Sequence, residues 1–325
     1  MSNSRRDFVK TAAGLSLAAG ALSAAPAGDE IPKRSLGRTG LEVSIFGLGG
    51  ARTGMLVDHQ QAMNTIRRCY DLGVTYFDTA AAGAYGISQL RYGLALSDVR
   101  EKIVFGTKTR HRTYGHSELD LNQSLANLKT DRIDLYQIHN VMNQEDLEFI
   151  FGPRGVMEMV EKAKRDGKIR FVGVTGHMDP RVLRTAIDTY DFDTILIPLS
   201  VTDGARDGFS FEQITLPVAL EKKMGVIAMK TTGVGALPSQ NDSSIAECLN
   251  YVWSLPISTA ILGCTTPEQA ETDARLAREF PRNQLSEAQR EEIRAKWAKA
   301  DLAKLEPWKV DQSNKLAALP EYMGD

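Results

Sequence analysis

Four side chains of this 325-residue chain have the types and spacing to do chemistry together: Asp78, Tyr85, Lys108 and His139. Asp78, Lys108 and His139 each close a short β-rich run, in Phe77-Asp78-Thr79-Ala80, Gly106-Thr107-Lys108-Thr109 and Asp134-Leu135-Tyr136-Gln137-Ile138-His139. Tyr85 follows the first of these runs. A free phenol titrates near pH ~10, too high for efficient proton exchange at neutrality. A neighbouring ammonium favours the phenolate and draws that value down. Asp78 is placed to neutralise Lys108, whose burial is costly without a partner. His139 is placed to hydrogen-bond a substrate oxygen and orient it. The set forms a tuned acid facing a polarised carbonyl, which suits carbonyl reduction beside a hydride donor. Singly, each residue has a structural reading: a capping Asp, a satisfied core His, a packing Tyr. Their convergence on one rim argues against that reading for the set.

The elements that position them recur regularly. Runs at residues 45–48, 76–80, 103–108, 134–139, 171–175, 194–199, 226–230 and 259–263 start 23 to 37 residues apart, room for one strand, one helix and two loops. They are apolar without clean alternation, as parallel strands covered by helices are. Between them, Ser117 opens one helical pattern carrying Leu121, Leu125 and Leu128. Asp179-Pro180 and Thr266-Pro267 open two others, with Pro at the first helical position. Gly167 ends the helix built on Val156, Val160 and Ala163. Eight such units predict an α/β fold of the (β/α)8 barrel type, with active-site residues at the C-terminal ends of the strands. No strand leads into a G-x-G-x-x-G turn, which counts against a doubly wound sheet. A further charged helix is expected over 286–305, followed by a polar tail.

Composition sets the outer limits. Net charge is −2, with 25% charged and 42% hydrophobic residues, which excludes a disordered, collagen-like or polytopic membrane chain and gives no footprint for nucleic acid. Three Cys (Cys69, Cys248, Cys264) allow at most one disulfide and have no metal-ligand spacing. At the N-terminus, Ser4-Arg5-Arg6-Asp7-Phe8 precedes a Gly/Ala-rich apolar run and Ala25-Pro26-Ala27, the order of a secretory signal. The Arg pair resembles the twin-arginine (Tat) export signal, and the run is too short to span a bilayer. The expected organisation is a signal over residues 1–27, then one barrel over 28–325. The mature protein would be periplasmic without a stable membrane span, its partners being the Tat translocase during export and a small carbonyl or alcohol substrate.

From about Lys33 to Phe280 the chain resembles the aldo-keto reductases. The resemblance rests on Arg34-Ser35-Leu36-Gly37-Arg38-Thr39-Gly40, similar to the hairpin that plugs the barrel bottom, and on the Asp78 and Tyr85-Gly86 segments. It rests also on Ser124-Leu125 running to Leu135 before His139, and on Gly167-Lys168-Ile169-Arg170-Phe171-Val172-Gly173-Val174. It implies that Tyr85 is the general acid, tuned by Lys108 and Asp78, with His139 orienting the carbonyl. It implies a nicotinamide dinucleotide, NADP(H) or NAD(H), with NADP(H) the commoner in the family. Thr175, Gly176 and His177 would face the nicotinamide; Lys230, Thr231 and Gly233 would border the diphosphate. Gly263, Cys264, Thr265, Gln269 and Asp273 would lie at the adenosine end. The chain departs from the family in three places. Two extra residues separate Asp78 from Tyr85, so that Ala81–Ala84 would form a bulged loop. Thr175-Gly176 and Leu196 stand where polar residues usually grip the nicotinamide amide. Gly263 and Gln269 replace a cationic pair, with Arg275 and Arg278 one turn later.

Two regions stay open on sequence alone. The connection from Asn140 to Gly155 carries Met142, Leu147, Phe149, Ile150 and Phe151, which either wall a hydrophobic substrate or pack on the rim. Trp308 and the tail from Trp297 onward are placed to close one side of the pocket. The rival function is a dinucleotide-binding sensor or accessory protein with little turnover; a metal hydrolase using His111, His116 and His139 lacks ligand spacing.

Overall fold

The structure, a computed structural model, describes residues 30–311 except residue 239. The signal expected at residues 1–27 lies outside the described residues.

The described chain opens with a hairpin, β1 (Lys33–Ser35) antiparallel to β2 (Glu42–Ser44). Its Leu36 and Val43 are fully buried against Tyr76, Val104, Leu135, Leu196 and Ile227. Tyr76 and Val104 are the first residues of their strands, so the hairpin plugs the N-terminal end of the barrel, as expected.

Eight parallel strands close that barrel: β3 (Phe46–Gly49), β4 (Tyr76–Asp78), β5 (Val104–Thr109), β6 (Ile133–Ile138), β7 (Ile169–Thr175), β8 (Thr194–Pro198), β9 (Gly225–Met229) and β10 (Thr259–Leu262). Each bound falls within two residues of the sequence expectation. Closure pairs β10 with β3, Ala260 opposite Phe46 and Leu262 opposite Leu48. The seam is reinforced by the Trp253 indole, which donates to the Ile45 carbonyl at 2.9 Å, and by the Arg34 guanidinium, which donates to the Trp253 and Ile257 carbonyls at 2.7 and 2.8 Å.

The capping chemistry behaves as its residues dictate. Asp179 accepts from the Arg181 amide to open the helix Pro180–Thr189, and Thr266 accepts from the Gln269 amide to open Pro267–Asn283. Gly167, at φ +76°, follows the helix Val156–Arg165. Two expectations need correction. The helix read as starting at Ser117 starts at Tyr114, and the Ser117 hydroxyl bonds back to the Thr113 and Tyr114 carbonyls at 2.7 and 3.0 Å. A serine inside the first turn makes such back-bonds and so imitates a cap in sequence. The helix expected over 286–305 is two, Glu287–Trp297 and Leu302–Leu305, the second capped by Asp301.

The connection after β6 folds into the helix Gln144–Phe151. Leu147 and Ile150 are buried in the main core and Phe151 packs against it, whereas Phe149 is exposed. Arg112 fixes this segment through a buried ion pair with Asp146 at 2.5 Å. Cys69, Cys248 and Cys264 are free and buried. Among the described residues no helix is long and apolar enough to cross a membrane.

Candidate active site

Strands β4, β5 and β6 bring Asp78, Lys108 and Gln137 together at their C-terminal ends, with Lys108 opposite Gln137 in register. Lys108 and Asp78 are excluded from solvent. The Lys108 ammonium donates to Asp78 Oδ2 at 2.5 Å and to the Thr79 carbonyl at 2.7 Å. Asp78 Oδ1 accepts from the Gln137 amide at 3.3 Å and the Tyr76 hydroxyl at 3.5 Å. Gln137 and Tyr76 were missed in the sequence. The available signal was their strand parity, since residues two apart share a face: Gln137 with His139, Tyr76 with Asp78.

Tyr85 arrives on a single helical turn, Ala82–Tyr85, so the expected bulged loop is instead helical. Gly86, at φ +56°, ends the turn. The neighbouring short helix Gly50–Met55 can lie against it only because residue 54 is glycine: a Cβ there would sit 2.0 Å from the Tyr85 carbonyl oxygen. The Lys108 Nζ stands over the Tyr85 ring, 4.8 Å from its centroid. The His139 ring meets Tyr85 edge-on at 6.0 Å, while His111 stacks on His116 and bonds Asp120 at 2.9 Å.

The electrostatics correct one expectation. The Tyr85 pKa is raised, not lowered, first by burial and then by the Asp78 carboxylate. Lys108 has its charge met by Asp78, so it does not draw a proton off the ring beside it. Burial pushes the Asp78 carboxyl up and the Lys108 ammonium down, and the attraction between them opposes both shifts. Burial, then the positive charge of Lys108, holds the His139 pKa well below the usual imidazole value. His139 is therefore neutral, and its buried Nδ1 has no partner among the described residues. The site at neutral pH is a protonated phenol, a neutral imidazole and a closed ion pair.

A cavity of about 710 Å³ opens from Tyr85 toward the ends of β9 and β10. Its wall includes Gly49 at the end of β3, Ala51 and Arg52 after it, Met229 to Gly235 in part, and Gly263, Thr265, Glu268, Gln269, Thr272 and Asp273. Residues 46–250 match the Aldo/keto reductase family. The chain belongs to that family. It is 27% identical over 229 residues to the uncharacterized oxidoreductase YqkF of Bacillus subtilis, covering 67% of this chain and 70% of that one. It is 29% identical over 227 residues to L-galactose dehydrogenase of Arabidopsis thaliana, covering 65% and 68%. A Pseudomonas aeruginosa protein assigned as an aldo-keto reductase superposes with a TM-score of 0.64 at 26% identity, over 76% of this chain and 95% of that one. The fold is shared further with a Bacillus halodurans aldo-keto reductase (TM-score 0.69, 20% identity, 91% and 100% coverage).

As an aldo/keto reductase the chain is an oxidoreductase, and its wall can be compared with the residues expected to hold a cofactor. Lys230, Thr231, Gly263, Thr265, Gln269 and Asp273 line the cavity. Gly233 belongs to the turn at its edge, where Val234 is held at φ +59°, a strained setting for a β-branched residue and a mark of functional loops. Thr175 is buried at the end of β7, Gly176 packs under the Val141 carbonyl, and Cys264 lies behind the wall, bonded to Asp273 at 3.5 Å. His177 is half-buried, its pKa driven down to about 3 by burial and by Lys230. Leu196 faces the barrel interior in the cluster under the hairpin. Arg275 pairs with Glu279 and Arg278 donates to the Leu72 carbonyl, so neither replaces the missing cations. In the tail, Trp308 covers the Lys230 ammonium at 4.7 Å, Lys309 is buried in ion pairs with Asp203 and Glu306, and the Val310 amide bonds the Met178 carbonyl at 3.1 Å. Trp297, by contrast, is a core residue. Arg52, Glu268 and Thr272 were missed.

Proposed function

We propose that the protein reduces an aldehyde or ketone to an alcohol with NAD(P)H, Tyr85 acting as general acid. The observation that carries this is the placement of Tyr85 between the Lys108 ammonium on its face and the His139 edge, at the near end of the cavity. The cavity's volume is in the range of organic-ligand sites, about 300–1,000 Å³, and its wall joins the strained 230–235 turn to the N-terminus of Pro267–Asn283, a setting that suits phosphate groups. The dinucleotide, when bound, supplies the hydride.

The chain's own residues do the rest. Neutral His139 donates one hydrogen bond to the substrate oxygen and fixes it toward the phenol. Tyr85 passes its hydroxyl proton to that oxygen as negative charge develops there. Lys108, over the ring, stabilises the charge left on the phenolate; Asp78, Gln137 and Tyr76 keep the ammonium in place. The raised Tyr85 pKa keeps the phenol protonated at neutral pH, the form needed to donate. An alkoxide is far more basic than a phenolate, so the phenol still protonates it. The reverse reaction, alcohol oxidation, runs through the same groups with Tyr85 as the base.

The test compares wild type with Tyr85→Phe on a panel of aldehydes and ketones. Wild type should consume NADPH or NADH at least about 100-fold faster than the variant. Equally slow turnover by both would defeat the catalytic reading and leave a dinucleotide-binding sensor. We propose further that the protein is exported folded through the Tat route to the periplasm, on the Arg5-Arg6 pattern alone; cell fractionation of an Arg5→Lys, Arg6→Lys variant checks it by retention in the cytoplasm.

A further inference from the structure

The cavity wall carries two cations, Arg52 and Lys230, and two carboxylates, Glu268 and Asp273. Their settings differ. Lys230 is half-buried beneath the Trp308 ring, and burial lowers its pKa. Glu268 and Asp273 both sit on the helix that follows β10. Arg52 comes from the opposite side, from the short helix Gly50–Met55 after β3. It is exposed, and its guanidinium forms no hydrogen bond or ion pair with any described residue. Its stem crosses to β10 over Gly263: a Cβ on residue 263 would come within 2.9 Å of Arg52 Cγ and 3.7 Å of its Cβ. Gly263 has an ordinary backbone conformation there, so glycine is needed for space and not for φ. The missing side chain at 263 is what lets an arginine from the far side of the barrel seam lie across the cavity.

We propose that Arg52 holds the phosphate charge of the bound dinucleotide, as a clamp reaching over the cavity from β3 to β10. The proposal rests on the dinucleotide reading above. A planar guanidinium with unmet donors on a cavity wall matches a phosphate through paired, charge-assisted hydrogen bonds. It also replaces charge that β10 and its helix do not supply, since Gly263 and Gln269 are neutral and the Gln269 amide oxygen is taken up by the Thr265 amide and hydroxyl at 2.7 and 3.0 Å. Glu268 and Asp273 share the far wall, so an additional phosphate on the adenosine ribose would meet negative charge there. Arg52 is accordingly matched to the diphosphate that NADH and NADPH have in common.

The test is equilibrium titration of the full chain with NADH and, separately, NADPH, followed by quenching of tryptophan fluorescence. Arg52→Gln should raise Kd for both dinucleotides by about 10- to 100-fold, and Arg52→Lys should recover part of the loss. Gly263→Val, which crowds the arginine stem, should weaken binding in the same direction. A loss confined to NADPH would place Arg52 on the ribose phosphate and overturn its assignment to the shared diphosphate. Unchanged Kd for both in Arg52→Gln overturns the proposal while the dinucleotide reading stands. If wild type binds neither dinucleotide, the dinucleotide reading itself fails and the clamp with it. Tyr85→Phe, titrated alongside, should bind as wild type does.

Discussion

The two sides of the barrel mouth are built on opposite electrostatic plans. On the β4–β6 side the charges are closed within the protein: Lys108 by Asp78, Asp78 by Gln137 and Tyr76 as well, Arg112 by Asp146. On the β3–β10 side the charges stand open on a cavity: among the described residues Arg52 has no partner, Glu268 is exposed, and Asp273 is bonded to a cysteine thiol with its pKa raised to about 6 by burial. The first side is preorganised, which is what charge stabilisation in a reaction requires. The second waits for a ligand to complete it. The difference separates groups that carry out chemistry from groups that bind.

That separation can be broken experimentally. Lys108→Met should produce the largest effect, a fall in kcat of about 10²- to 10⁴-fold, with dinucleotide Kd unchanged; a matching rise in Kd would merge the two sides into one. Asp78→Ala leaves a buried ammonium unpaired and should cost about 3–5 kcal/mol in urea unfolding; a loss below ~1 kcal/mol would mean the pair is not closed as described. Gly54→Ala forces a methyl against the Tyr85 backbone and should destabilise by about 1–3 kcal/mol. Its kcat should drop and its dinucleotide Kd should rise with it, since the clash lies between Tyr85 and the helix that carries Arg52. The smallest effect is in pH. His139 is held well below the usual imidazole value and Tyr85 above the usual phenol value, so kcat at saturating dinucleotide should show no step through the usual imidazole range. A step near pH ~6.5 would show His139 titrating as an exposed imidazole.

The barrel was legible because its strands are short apolar runs at even intervals, and the acid, lysine and histidine because they fall at strand ends. What sequence reading missed depends on three-dimensional closeness that linear spacing does not encode. Gln137 sits inside an apolar strand, where one polar residue reads as noise. Arg52 belongs to the first βα turn and Gly263 to the last strand, and only closure of the ring makes them neighbours. Ser117 misled because a back-bonding serine looks like a cap. The direction of the Tyr85 shift was misread for an energetic reason: a lysine beside a phenol lowers its pKa only when that lysine's charge is not already spent on a carboxylate.

The seam between β3 and β10 also governs when this protein can exist as a folded body. Phe46 finds its strand partner only in Ala260, and Arg34 its acceptors only at Trp253 and Ile257. The cylinder therefore cannot close until β10 has been made, about four-fifths of the way along the chain, and contacts of such long sequence separation form slowly. Closure is a late step in folding, set by the distance in sequence between the first strand and the last.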